Sequence, residues 1–105
     1  MTDKLLVLTT AGSEAEANKI AQALVERRLA ACVNIIPGIQ SVYRWKDKVE
    51  RSEEFLLFIK TRRALEPEIR TAIGELHSYE LPELLGLAIE YGSAAYLAWI
   101  DGSVT

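Results

Sequence analysis

Leu5-Leu6-Val7-Leu8 is a short, continuous apolar run, the pattern of a strand buried on both faces. Thr9-Thr10-Ala11-Gly12 ends it, and Ser13 opens a helix with Glu16 three residues on. That spacing predicts a capping box, in which each side chain satisfies a free backbone N–H. Ala17, Ile20, Ala21 and Leu24 recur on one helical face, and Arg27-Arg28 falls at the negative end of the dipole. The helix is predicted over about 13–28. Ala31–Ile36 and Ile39–Trp45 read as a second strand interrupted by Pro37-Gly38, the mark of a bulge or bend. Lys46-Asp47 is a plausible hairpin turn, and the return strand runs from about Val49 to Thr61. Leu65, Ile69, Ala72, Ile73 and Leu76 line a second helix that has Pro67 in its first turn and is closed by His77. A loop (Ser78–Pro82), a fourth strand (Leu84–Tyr91) and a short helix capped by Ser93 and ending before Gly102 complete the chain.

The order β-α-β-β-α-β plus a terminal helix predicts an α+β, ferredoxin-like split βαβ in one domain, residues 1–105. Two helices cover one face of its antiparallel sheet. A face left to water would show alternating apolar and polar residues. Phe55-Leu56-Leu57-Phe58-Ile59 does not alternate, nor does Leu5–Leu8, so a second covering is needed. The terminal helix is too short to supply all of it. The hairpin adds a second argument. Residues 33–45 extend about 43 Å, against a diameter of about 35 Å for a compact domain of this length. The arms therefore bend sharply at Pro37-Gly38 or reach onto a neighbour, and a homo-oligomer is expected.

Composition narrows the classes. The chain carries 12 Lys and Arg against 15 Asp and Glu, a net charge of −3, with the basic residues dispersed. That argues against a nucleic-acid partner. One Cys excludes an internal disulfide framework and a multi-thiolate zinc site, and one His excludes a binuclear histidine site within one chain. No apolar run approaches the roughly 20 residues that span a bilayer, and no signal-peptide pattern opens the sequence. A cytoplasmic location is expected.

Four segments are together distinctive: Arg28-Leu29-Ala30-Ala31-Cys32-Val33-Asn34-Ile35, Ser41-Val42-Tyr43-Arg44-Trp45, Glu54 to Lys60-Thr61, and His77-Ser78-Tyr79-Glu80-Leu81-Pro82-Glu83-Leu84. In this order they resemble the CutA divalent-ion (copper) tolerance family across essentially the whole chain. The resemblance implies a ferredoxin-like fold, a cytoplasmic homotrimer in bacteria, and a role in tolerance of copper and other divalent metals. Such trimers look like the PII signalling proteins, which bind small ligands in clefts between subunits. Of the three ligand positions of copper-linked members, the chain departs at two, where it has Thr9 and Leu76, so only His77 of the candidate ligands remains. Ser78 and Asp47 replace the family's usual Pro and Gly.

His77 has two readings: a helix-terminal residue suited to the dipole, or a metal ligand assisted by Glu80 or Glu83. Cys32 reads as a small buried side chain. Tyr43 and Trp45 share one face of the hairpin, as oligomer packing or as the wall of an inter-subunit cleft. Lys60 either snorkels to solvent or meets an anionic ligand or a neighbour's Glu83. Tyr79, Glu80 and Glu83 sit on a loop tethered by Pro82, where binding is expected to reside. The charges near the hairpin tip, with Glu50, Glu53 and Glu54 interleaved, read as solvated. No nucleophile-base set or phosphate loop is evident, so an enzyme is not expected. The expected function is a non-enzymatic trimer binding a metal ion (copper or another divalent metal) or a small anionic ligand in the cleft of Tyr43, Trp45, Lys60, Tyr79 and Glu83. The alternative is a structural trimerisation module that anchors a partner protein.

Overall fold

The computed structural model describes residues 2–105. Strand β1 (Lys4–Ala11) leads to α1 (Glu14–Glu26), the hairpin β2 (Cys32–Trp45) and β3 (Lys48–Arg62), α2 (Glu66–Leu76) after a 3₁₀ turn, β4 (Leu85–Ala88) and α3 (Ala94–Ser103). The sheet is antiparallel with strand order β2-β3-β1-β4, the ferredoxin-like arrangement expected. Ala17, Ile20 and Leu24 of α1 and Ile69, Ala72 and Ile73 of α2 pack into one core with Leu5, Val7, Leu57 and Ile59. A smaller cluster of Ala31, Leu65, Ile100 and Val104 ties α3 to one end of the sheet.

Strand alternation places Leu57, Ile59 and Thr61 of β3 on the helix side, and Leu56, Phe58 and Lys60 on the other. The register sets Leu6 and Leu8 beside Lys60 and Phe58, and beside Leu87 and Leu85. The open face is therefore largely apolar, as the lack of alternation predicted. Leu85 and Leu87 remain 55% and 48% exposed in the single chain.

The hairpin gives the molecule a long axis of 45 Å, with the other two at 25 and 23 Å. Its one irregularity lies between Ile36 and Ile39, where the partner advances two residues, from Leu56 to Glu54, while β2 advances three. Gly38 supports this bulge at φ +73°, in the left-handed region. One extra residue reverses which side chains face which side. Odd-numbered residues beyond Ile39, including Tyr43 and Trp45, consequently share the face of Glu54 and of the open sheet. The turn places Lys46 and Asp47 at φ +49° and +66°, the pair of positive values a type I′ hairpin turn requires.

Several local expectations change. Helix α1 stops at Glu26, with Arg27 as its cap and Arg28 at φ +59°. Ser13 Oγ accepts the Glu16 N–H at 3.2 Å, but the Glu16 carboxylate does not complete the box. Its Oε2 instead accepts the Ser78 N–H at 3.1 Å. Strand β4 is shorter than expected because its ladder lasts only along Leu5–Leu8 of β1. Helix α3 runs through Gly102 because Val104 is buried and the Thr105 N–H donates to the Arg28 carbonyl at 2.9 Å, anchoring the end. Cys32 is half-buried with its side chain toward the open face, rather than within the core.

Candidate functional site

A cavity of about 720 Å³ opens between the hairpin and the segment that follows α2. Tyr43 and Trp45 come from β2, Glu54 from β3, and Tyr79, Glu80 and Glu83 from the loop. The structure thus brings together five of the residues singled out from sequence and adds Glu54. Lys60 and His77 do not line it. Lys60 lies farther along the open face, its Nζ 5.7 Å from the Tyr96 ring centroid.

The loop is held from both sides. The Thr9 hydroxyl, fully buried, donates to the Glu83 carbonyl at 2.6 Å. His77 caps α2, its N–H donating to the Ile73 carbonyl. Its ring has no exposed surface and lies 4.6 Å from the Tyr79 ring, centroid to centroid. The hydrogen-bond network assigns Nε2–H as donor to the Thr10 carbonyl at 2.6 Å and Nδ1 as acceptor of the Tyr79 N–H at 3.1 Å. Glu16 Oε1 is 3.5 Å from Nδ1, longer than the Tyr79 contact.

Both ring nitrogens are therefore committed to the backbone. Glu80 and Glu83 face a cavity that His77 does not reach, and no three His, Cys, Asp or Glu side chains converge as a metal site among the described residues. Within one chain, the donor set His77, Glu80 and Glu83 does not fit a copper ion, whose nitrogen ligand must offer a free lone pair. His77 instead positions the loop. Calorimetric Cu(II) titrations of the wild type and His77→Ala are expected to superimpose. Denaturant unfolding of the variant should show a loss of about 1–3 kcal/mol, because Thr10 and Tyr79 lose their partner.

Tyr79 passes over Gly12, where an added Cβ would come within 2.9 Å of the phenol oxygen. Glycine there keeps the ring seated. The Tyr79 hydroxyl donates to Glu54 Oε2 at 2.6 Å. Glu54 is only 6% exposed, unlike the exposed charges Lys46, Lys48 and Arg51 among which it lies in sequence. Tyr43 is positioned by a 2.6 Å hydrogen bond between its hydroxyl and Ser52.

Burial, followed by the hydrogen bond and negative charge of Glu54, holds the Tyr79 phenol well above the usual tyrosine value. Unfolded chains ionise tyrosine near pH ~10, and the folded chain releases this proton only at higher pH. The linked stability is intact below pH ~10 and is lost as pH climbs toward the folded value. An ultraviolet titration of the native protein should show one delayed phenol, and Glu54→Gln should move it back toward the ordinary range.

Comparisons with known proteins bear on the family and the fold. The family profile described as "CutA1 divalent ion tolerance protein" matches residues 5–103. The chain is 46% identical over 95 residues to the divalent-cation tolerance protein CutA of Thermus thermophilus, covering 90% of this chain and 92% of that one. It is 45% identical over 91 residues to mouse protein CutA, covering 87% of this chain but only 51% of the mouse protein. A solved structure of the divalent cation tolerance protein from Thermus thermophilus superposes with a TM-score of 0.95 at 43% identity, covering 97% of this chain and 99% of that one. Relatives differ in the compartment their names give, chloroplastic for one from Arabidopsis thaliana and periplasmic for one from Archaeoglobus fulgidus. The chain belongs to the CutA1 divalent ion tolerance family.

Proposed function

We propose that the chain works as a homotrimer that binds a small ligand in clefts at its subunit seams and catalyses no reaction. The observation that carries this reading is the apolar open face of the sheet. It is continuous with the cavity, because the bulge turns Tyr43 and Trp45 to the same side. Burial of such a face is worth roughly 25 cal/mol per Å², and large exposed apolar patches mark association surfaces. A copy packed on it would border the cavity and would face Lys60. In this way Lys60 joins the cleft in the assembly although it lies outside the cavity of a single chain. The number three follows from the family resemblance, and the family's name, for divalent-ion tolerance, supports binding rather than catalysis.

The proposal treats residues 1–105 as one functional domain and places it in the cytoplasm, where a free thiol such as Cys32 stays reduced. Among the described residues no helix is long and apolar enough to cross a membrane. A thermal-shift screen of the assembled protein against divalent metals, phosphate-bearing anions and organic amines tests the cleft. A saturable shift that is diminished in Glu83→Ala is expected. A flat response to every class would overturn the reading and leave a trimerisation module that anchors a partner.

A further inference from the structure

We infer that the cavity is built for an organic cation, an ammonium or guanidinium on a short carbon chain, rather than for an anion or a bare metal ion. The inference rests on the proposal above that the protein binds a ligand there. Its basis is Glu54, a carboxylate more than nine-tenths buried at the cavity wall. One oxygen accepts the Tyr79 hydroxyl. Among the described residues, nothing donates a hydrogen bond to the other oxygen, and no Lys, Arg or His forms an ion pair with Glu54. A buried charge is stable only when paired or hydrogen-bonded. The Tyr79 hydroxyl supplies one such bond, and the second oxygen, which is not sealed from the cavity, is left to take a cation.

The remaining walls specify which cation. Tyr43, Trp45 and Tyr79 present aromatic rings, whose faces attract positive charge and apolar carbon alike. Glu80 and Glu83 add negative charge, and no Lys, Arg or His lines the cavity. Within one chain an anion in the cavity would therefore meet three carboxylates, with Lys46 held over the Trp45 ring and Lys60 farther along the open face. A bare metal ion would find no converging set of ligands, and it would occupy little of a space the size of a small-molecule pocket. A quaternary ammonium would satisfy the rings but offer Glu54 no N–H. An N–H-bearing head with a carbon stem matches both parts of the site. The bidentate geometry of guanidinium suits a carboxylate best.

Calorimetric titration of the assembled protein with agmatine tests this, with inorganic phosphate and Cu(II) as parallel probes. Saturable binding of agmatine at one per chain is expected. Glu54→Gln should weaken it at least tenfold, since the amide keeps an oxygen for Tyr79 but loses the charge. Glu83→Gln, an exposed change that leaves the fold intact, should weaken it by a smaller factor. Without ligand, Glu54→Gln should melt at the same temperature as wild type or higher, because an unpaired buried charge has been removed. If phosphate or Cu(II) binds and agmatine does not, the cleft stands and the cation class falls. If none of the three binds and Glu54→Gln melts well below wild type, Glu54 is paired by a neighbouring copy and the inference is overturned. If none binds and melting is unchanged, the inference and the ligand-binding proposal fall together.

Discussion

Leu87→Asp is expected to turn the assembled protein into a folded monomer. Leu87 lies on β4 at the open face, directly beside Leu6 in the sheet register. It is half-exposed in the single chain, so an aspartate there remains solvated in the protomer and costs it little. In an assembly that buries this face, the same carboxylate would sit among Leu6, Leu8, Phe58 and Leu85, with Lys60 separated from it by the intervening strand β1. Burying an unpaired charge is among the few single changes that cost about 4 kcal/mol or more, roughly a thousandfold in an association constant. Size-exclusion chromatography with light scattering should show the mass falling from about 35 kDa, three chains of 11.7 kDa, to that of one chain. The far-ultraviolet circular dichroism should be retained. An unchanged mass would place the subunit contact elsewhere.

Ile59→Ala is expected to be the most destabilising conservative change in the core. Ile59 is fully buried at the centre of β3, opposite Val7 on one side and Val33 on the other, and belongs to the cluster capped by Ile20, Ile69 and Ile73. Both helices contribute to that cluster, which is buried, so the void left by the shorter side chain has little freedom to collapse. The expected loss is about 2–5 kcal/mol. Urea unfolding of wild type and variant at equal protein concentration should show it as a lower midpoint with an unchanged slope. A loss below about 1 kcal/mol would mean that the core repacks around the gap.

The fold could be read from the sequence wherever the signal is local. Ser13 ahead of an amphipathic run, Pro67 in a first turn and Pro37-Gly38 inside a strand each act through their own backbone, and each appears at the expected place. The apolar character of both sides of β3 was equally visible, because alternation belongs to a single strand. Glu54 shows the other case. Nothing in the charged stretch from Lys46 to Glu54 distinguishes one glutamate for burial. Its environment comes from Tyr79, 25 residues later, carried over Gly12 by a loop that His77 and Thr9 hold. His77 has two readings in sequence, a residue closing a helix or a metal ligand, and it does close α2. Its commitment to the Thr10 carbonyl depends on a contact across 67 residues. Tyr43 and Trp45 are legible in sequence because alternation along one strand puts them on one face, and Tyr79, Glu80 and Glu83 because they belong to the loop tethered by Pro82. Lys60 reads in sequence as an ammonium at the end of an apolar strand, free to meet a ligand, while its register sets it farther along the open face.

The central claim is that the open face of the sheet is covered by other copies of the same chain. Sedimentation equilibrium of the wild-type protein at micromolar concentration tests it most directly. The account predicts a single species of about 35 kDa, three times 11.7 kDa. A stable, fully folded species of 11.7 kDa, with Leu85 and Leu87 in contact with water, would contradict it.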